Sequence, residues 1–488
     1  MLIKINILFY YIKLSILLLI SSFLISCNTT RHEKQIVILA VNDMHANLNN
    51  FPKFAALVDS LRDEYPDMLL FSAGDNRTGN PYNDYYPEQK NLPMVSLMNA
   101  LDFDLSCLGN HEFDAGHEGL QYFYKETEFP VICANADLTV IEEVRNEPYT
   151  IIDNDGVKIG IVGLIETSND GFPSSHPKNL NGIVFTDAVE KVNDFKSLEN
   201  QCDLLVILSH CGYETDSVLA TRFPEADLII GGHSHYVIEK KMIDDVMITQ
   251  AGNNLKYASL IKINLRNANV VEKDASLIDV SKFSKYNKDI KKLIDDYSDN
   301  EYFKTVVGTA VNPIENNDEM GCFMADAMRY AANADVAFQN PGGVRLSYLP
   351  SGDISLASIY RLDPFANSVV YYEMTSLQIE EFIKLASISD GGPIHISGLS
   401  YTMNVKKNDN NNYEIINVSV IDEDAKYLNY SKLYRVAMND YMERTVNFDF
   451  EDGPFDIGMT TIEADLEYLK NHQPNYKDER RYHFNVLQ

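Results

Sequence analysis

A chain of 488 residues exceeds what one ordinary hydrophobic core serves, so two domains are expected. With 45% hydrophobic and 23% charged residues, the composition is that of a folded globular protein and excludes a disordered chain. A formal net charge of -30 repels polyanions and argues against a nucleic-acid polymer as partner. A small anion stays admissible wherever bound cations reverse the local field.

In chain order, Lys4 and Lys13 precede an apolar run from Leu14 to Ile25. That run is short for a membrane span and suits the hydrophobic region of a signal peptide. It ends in Leu24-Ile25-Ser26-Cys27, which resembles the bacterial lipoprotein box, where the cysteine becomes the lipidated first residue of the mature chain. The expectation is a signal peptide over 1–27 and a tether over 28–34. The protein would be exported to the periplasm or outer-membrane surface and held at the membrane by a lipid on Cys27. The alternative is an uncleaved anchor helix, which also exports the body. The five remaining cysteines (Cys107, Cys133, Cys202, Cys211 and Cys322) are too sparse for a disulfide framework and lack the paired spacing of a structural zinc site.

Apolar runs bounded by turn residues recur over 35–41, 68–73, 105–108, 131–134, 157–164, 204–208, 228–230, 246–250 and 259–265. Continuous apolar runs predict strands covered on both faces. Residues 54–65 and 188–198 have apolar side chains at helical spacing. Asn154-Asp155-Gly156, between 149–152 and 157–164, predicts a hairpin turn. Together these predict an α/β first domain with mixed sheets over 35–278. The charged stretch around 281–301 predicts a helical linker over 279–304. A smaller α/β domain follows over 305–488, with helices at 320–332 and 377–386 and a strand at 336–338.

Five predicted strand ends carry ionisable groups. The first runs into "NDMH" with Asp43 and His45, the second into "GDNRTG" with Asp75, and the third into "GNHEFD" with Asn110, His111 and Asp114. Two later ends run into "SHCG" with His210 and "GGHSH" with His233 and His235. Each has an ordinary explanation, such as a helix cap at Asn110, turn-forming aspartates, or glycines in tight turns. The coincidence of five such ends, holding five of the 11 histidines, favours one site outside the carboxyl ends of a sheet. In extended segments, Asp43 and His45, and likewise His233 and His235, would point to the same side. Carboxylate, imidazole and amide donors together suit a borderline divalent ion of the Zn, Mn, Co or Fe(II) class. Seven donors exceed one tetrahedral ion and suit two ions bridged by a carboxylate.

These five blocks, in this order, resemble the bacterial 5'-nucleotidase family of two-domain calcineurin-like metallophosphatases, which includes UDP-sugar hydrolases and cyclic-nucleotide phosphodiesterases. The likeness spans about 35–460, strongly to about 260 and more weakly beyond; Ala46 stands where the family usually has glycine. It implies an αββα sandwich of two mixed sheets followed by a smaller α/β substrate domain. By motif, Asp43, His45, Asp75 and His235 would hold one metal, and Asp75, Asn110, His210 and His233 the other, with Asp75 bridging. His111 and Asp114 would be the catalytic pair, with Glu112 facing solvent and Phe113 packed. Two ions about 3.5–4 Å apart would turn a shared water into a hydroxide that attacks phosphorus in line. His111 would stabilise or protonate the leaving oxygen.

In the second domain "NPGGVR" resembles the family's phosphate-gripping loop, which implies substrate roles for Asn340, Gly342, Gly343 and Arg345. "DPFAN" resembles the block that places Asn367 at the base, with Ala366 for glycine. Pro393 stands where the family usually has a stacking aromatic, and "EDGPF" leaves Phe455 as a candidate platform. Asp390 and His395 are expected in solvated loops. The expected activity is hydrolysis of nucleoside 5'-phosphates. Alternatives are a UDP-sugar or 2',3'-cyclic-nucleotide phosphodiesterase, thiosulfate-ester hydrolysis on the same core, or a non-catalytic nucleotide- or metal-binding lipoprotein.

Overall fold

The computed structural model describes residues 33–487, apart from 87–88, 169–170, 366, 390–391, 408–412, 423 and 451–452. The expected signal peptide, Cys27, residues 28–32 of the tether, Ala366 and Asp390 lie outside the described residues. Glu33 and Lys34, expected in the tether, already belong to the first strand.

The first domain opens with β1 (Glu33–Val41), β2 (Leu69–Ser72), β3 (Leu105–Cys107) and β4 (Val131–Ile132), which run parallel and side by side. A second sheet follows from β5 (Tyr149–Asn154), β6 (Val157–Ile165), β7 (Leu204–His210), β8 (Leu228–Ile230), β9 (Val237–Ile243) and β10 (Val246–Ala251). The chain then returns to the first sheet with β11 (Tyr257–Arg266) and β12 (Asn269–Asp279). The sheet orders are β12-β11-β1-β2-β3-β4 and β9-β10-β8-β7-β6-β5, both mixed. The predicted hairpin joins β5 to β6 with Asn154 opposite Val157, and Asp155 and Gly156 take the left-handed conformations that such a two-residue turn requires.

Apolar side chains on both faces of the strands set the layering. Ile36, Ile38 and Ala40 of β1 meet Leu204, Val206 and Leu208 of β7 in a core between the sheets. Val37, Leu39 and Val41 point the other way, onto helices Phe51–Glu64, Leu92–Ala100 and Gly116–Glu126. Leu205 and Ile207 of β7 pack outward against Leu219 and Ala220 of helix Tyr213–Arg222. The result is a four-layer αββα sandwich. Its parallel strands β1, β2, β3, β7 and β8 end on one rim.

The segment expected to be a linker is built into the first domain. Helix Lys288–Ser298, capped by Asn287, buries Ile290 and Ile294 in the outer core that also holds Phe54 and Leu97. The two isoleucines stand four residues apart, which gives this charged helix one apolar stripe. The second domain centres on a sheet ordered His395–Ser397, Val336–Gln339, Tyr434–Asn439, Ser368–Met374 and Phe455–Thr460. Helix Ser376–Ser389 covers one face, where Phe382 stacks on Phe338 at 5.2 Å. Helix Asn317–Ala331 lies on the other face, with Met328 against Ala337 and Ala437. The Tyr85 hydroxyl joins the domains by donating to the Pro364 carbonyl at 2.7 Å, and its ring meets Tyr360.

Candidate metal centre and cleft

Backbone stitching brings the rim loops together. The Asp43 N–H donates to the Gly74 carbonyl and the His45 N–H to the Asp75 carbonyl, each at 3.0 Å, so the loops after β1 and β2 form one unit. The extended geometry expected for the i, i+2 pairs is absent. Asp43, His45, Asp75, His233 and His235 all have positive φ, between 46° and 71°. Aspartate and histidine are among the side chains that tolerate this region, at about 1–3 kcal/mol each. A left-handed residue turns the chain sharply, so these loops curl around a point and do not run past it. Two glycines let them close. A Cβ on Gly109 would stand 2.2 Å from Asp75 Oδ1, and one on Gly232 would stand 2.8 Å from His210 Nδ1.

Around that point, His235 Nε2 lies 3.2 Å from Asp43 Oδ1 and 3.1 Å from His45 Nε2. His210 Nε2 lies 3.1 Å from Asp75 Oδ2 and 3.9 Å from Asp43 Oδ1. His233 Nδ1 faces Asn110 Oδ1 at 3.0 Å. All seven predicted donor residues converge here, and three triads have the mutual spacing to hold an ion: Asp43/His45/His235, Asp43/Asp75/His210 and His45/Asp75/His111. Asp43 Oδ1 and His210 Nε2 are buried without a hydrogen-bond partner. An unsatisfied carboxylate oxygen and imidazole nitrogen turned to one point are the donors a divalent cation would take up.

Electrostatics point the same way. Burial raises the Asp43 and Asp75 carboxyls, and the neighbouring imidazoles outweigh it, so both are held below the ordinary carboxylate range. Burial, aided by the Arg345 cation, pushes His45 down to about 3; burial, aided by His210, pushes His233 to about 4. Those imidazoles are neutral, as ligation requires. His210 is driven to about 10, since Asp75 and Asp43 overcome its burial. Its Nδ1 donates to the Ala73 carbonyl at 2.6 Å, which turns Nε2 toward the carboxylates. That proton stands where a cation's charge would stand.

Asn110–Phe113 is a 3-10 turn entered from Gly109, and the Asn110 amide donates to the Ser174 carbonyl at 3.0 Å without capping the turn. His111 Nδ1 pairs with Asp114 Oδ2 at 2.7 Å, and its Nε2 faces the cleft, 4.0 Å from Asp75 Oδ2. Burial pulls the His111 pKa down, but the Asp114 and Asp75 carboxylates overcome this and raise it above its ordinary value. Glu112 departs from expectation: it is 2% exposed and does not face solvent. Its carboxylate accepts the backbone N–H groups of Asp75, Asn76 and Gly109 at 2.9, 2.8 and 2.7 Å. Burial and the nearby Asp75 carboxylate push its pKa up to about 7, while the Asn76 and Gly109 N–H groups pull it back, an arrangement invisible before the loops are assembled.

The cluster opens into a cavity of about 250 Å³ between the domains. Asn340, Gly342, Gly343, Arg345 and Asn367 line it from the second domain, opposite Asp75, Asn110 and His111. Phe455 does not. It is half exposed at the start of an edge strand and stacks on Tyr371 at 5.0 Å, away from the cleft. The aromatic rings in the cavity wall are Phe365 and Tyr441, neither of which was singled out in the sequence. Phe365 lies within "DPFAN" and could have been found there. Its ring is near-parallel to the His111 ring at 5.8 Å and lies 5.9 Å from the Arg345 guanidinium. Tyr441 had no sequence signal, and neither did the cavity-lining segment 174–179. His395, expected in a solvated loop, is a buried strand residue packed on Gly321, and burial lowers its pKa to about 4.

An αββα sandwich with an Asp/His cluster on its rim, covered by a second α/β domain, is the architecture of a metal-dependent phosphoester hydrolase. Residues 36–237 match the calcineurin-like phosphoesterase family and residues 305–449 the 5'-nucleotidase C-terminal domain. The chain belongs to the 5'-nucleotidase family of two-domain calcineurin-like phosphoesterases. It is 25% identical over 468 residues to the trifunctional nucleotide phosphoesterase protein YfkN of Bacillus subtilis, a match covering 83% of this chain and 32% of that one. The chain thus spans about a third of that relative's length. It is 25% identical over 518 residues to a 5'-nucleotidase of Vibrio parahaemolyticus, covering 90% of each. Its fold matches the crystal structure of a 5'-nucleotidase precursor from Thermus thermophilus with a TM-score of 0.80, at 22% identity, over 92% of this chain and 99% of that one.

Proposed function

We propose that this enzyme hydrolyses nucleoside 5'-phosphates with two divalent ions of the Zn, Mn, Co or Fe class. Asp43, His45, Asp75 and His235 would hold one ion. Asp75, Asn110, His210 and His233 would hold the other, with Asp75 shared. When bound, such ions supply Lewis-acid charge at the phosphoryl oxygens and make water a nucleophile at neutral pH. The protein's own groups do the rest. His111, oriented by Asp114, keeps a proton at Nε2 to pass to the leaving alkoxide, a contribution of about 10²–10⁴-fold. Arg345 offers a planar fork to the phosphate. Phe365 and Tyr441 offer ring faces to a base, with Asn367 beside them as hydrogen-bonding partner.

The observation that carries this reading is the cavity in which His111 and Asp75 face Arg345, Asn367 and Phe365 across the domain boundary. A phosphate held at the cluster leaves its organic substituent among the second-domain groups. Phosphate release from AMP, UDP-glucose, cyclic nucleotides and an aryl phosphate, with Mn or Zn and chelator controls, tests it. AMP should give the highest kcat/KM and chelation should abolish it. An aryl phosphate processed as well as AMP would remove the nucleotide assignment. No turnover of any ester would favour a non-catalytic binding protein. For the N-terminus we propose export with a lipid on Cys27, supported by the apolar run from Leu14 to Ile25 and the Leu24-Ile25-Ser26-Cys27 box that ends it. Mass spectrometry of the membrane fraction tests that.

A further inference from the structure

The segment Ser174–Asn179, in the loop after β6, touches both halves of the cleft. On the first-domain side it meets the cluster. The Ser174 carbonyl accepts from the Asn110 amide at 3.0 Å, the Ser175 hydroxyl donates to Asp114 Oδ1 at 3.3 Å, and the Asn179 amide donates to the Asp114 carbonyl at 3.3 Å. On the second-domain side His176 Nε2 lies 2.9 Å from Asp440 Oδ2. Both side chains are under 10% exposed. The tautomer follows from the neighbours. The Lys178 N–H donates to His176 Nδ1 at 3.2 Å, so the ring proton sits on Nε2 and donates to Asp440. The other oxygen of Asp440 accepts the Ser368 N–H at 2.8 Å. Asp440 stands between Tyr441, which lines the cavity, and Asn439, whose amide donates to the side chain of Asn340 at 3.0 Å.

We propose that His176 and Asp440 form a buried interdomain strap that positions the distal wall of the substrate cavity. The pair holds the second domain against the loop that also braces Asn110 and Asp114. The wall that meets the substrate's organic half is thereby registered to the wall that meets its phosphate. The strap also brings Lys178 to the cavity wall. Its cation favours the charged form of the Asp440 carboxylate as well. Burial raises the Asp440 carboxyl, but the His176 hydrogen bond outweighs it and holds the acid below its ordinary value, so the acceptor stays charged at neutral pH. Both residues are positioning residues. Neither supplies a donor to the metal cluster.

The proposal rests on the phosphoester-hydrolase reading above and takes nucleotides as the esters that fill the cavity. The test compares His176→Ala, His176→Gln and Asp440→Asn with the wild type on AMP and on p-nitrophenyl phosphate, with metal content measured in parallel. Losing one hydrogen bond to a charged group should raise the AMP KM of His176→Ala about tenfold or more. The KM for the small aryl ester should rise far less, and the metal content should stay the same. Glutamine can donate to Asp440 and accept from the Lys178 N–H at once, so His176→Gln should restore most of the AMP affinity. Asp440→Asn puts an N–H₂ opposite the ring N–H and should behave like His176→Ala. Small-angle scattering, which needs no turnover, should give a larger radius of gyration for His176→Ala than for the wild type. An unchanged AMP KM would overturn the strap, as would an equal rise for both esters. If the wild type turns over the aryl ester but no nucleotide, the substrate reading fails; an unchanged radius of gyration would then overturn the strap separately.

Discussion

Glu112→Gln isolates the buried carboxyl group that assembles the rim loops. In the wild type, one carboxylate oxygen accepts the N–H groups of Asp75 and Gly109, and the other accepts the N–H and the side-chain amide of Asn76. A glutamine amide has one oxygen. Whichever way it turns, its N–H₂ faces two donors that lose their acceptor inside a site from which water is excluded. An unsatisfied buried donor costs about 1–3 kcal/mol, so the substitution should cost about 2–6 kcal/mol. For a domain of this size each kcal/mol lowers Tm by about 2–4 °C, which predicts a loss of at least about 4 °C. The donors belong to the backbone that carries Asp75 and Asn110, so divalent-metal affinity should fall with stability although no ligand is altered. Thermal denaturation with and without added Mn or Zn, together with metal analysis, reads both effects. A variant that melts within about 2 °C of the wild type and retains its full metal content would refute the reasoning.

Four further substitutions divide the site. Asp75→Ala should lose bound metal and activity together, because Asp75 is common to both proposed ligand sets and lies 3.1 Å from His210; an unchanged metal content would end its proposed bridging role. His111→Ala should retain metal and lose turnover by about 10²–10⁴-fold; metal analysis beside kcat checks it, and metal loss would move His111 into the coordination set. Asp114→Asn should lower kcat and shift the alkaline limb of the pH profile to lower pH. The raised His111 pKa keeps the imidazole protonated as pH climbs, and Asp114 is the leading cause that raises it against burial, so its removal lets the proton go sooner. An alkaline limb that does not move would place the essential proton on another group. Phe365→Ala should raise KM for AMP several-fold, since an aromatic stacking contact contributes about 0.5–1.5 kcal/mol, and should leave the aryl-phosphate KM nearly unchanged. Equal effects on both esters would show that the ring supports His111 and not a base.

The layers of the first domain were legible because local pattern and burial agree there. Apolar runs such as 204–208 face cores on both sides, and the predicted strand ends fall within a few residues of those observed. That the seven predicted residues would meet was legible because a side chain at a strand's carboxyl end has one rim to go to. Local conformation at those positions was not. Asp43 and His233 adopt left-handed backbones that no periodicity predicts, since the surrounding assembly imposes them. Glu112 was misread for the same reason: its three donors come from Asp75, Asn76 and Gly109, two of them on another loop. The cavity wall was only partly legible. Arg345 and Asn367 sit in recognisable blocks, whereas Phe455 was chosen on position and lies on an edge strand away from the cleft. His176 and Asp440, 264 residues apart, carry no local signal at all.

The rim loops break the rules that the rest of the chain obeys. Asp43 and Asp75 are carboxylates sealed from water, and together with His45, His233 and His235 they stand in a backbone region that costs about 1–3 kcal/mol per residue. Strain on that scale rivals the net stability of a domain, about 5–15 kcal/mol, so local preference cannot hold these loops. Two flanking cores and the Glu112 carboxyl group hold the backbone, which accounts for the geometry but not for the charge. The charge is balanced within the protein by His210, driven to about 10 by the two carboxylates against its own burial. Asp43 Oδ1 and His210 Nε2, one in each proposed ligand set, would both find partners in bound divalent cations, and His210 would give up that proton to become a ligand. Metal binding should therefore be a folding event for the rim as much as a catalytic one. Metal bound to the native state should raise the melting temperature, and binding at His210 should release its proton, which ties the chemistry of the cleft to the stability of the sandwich beneath it.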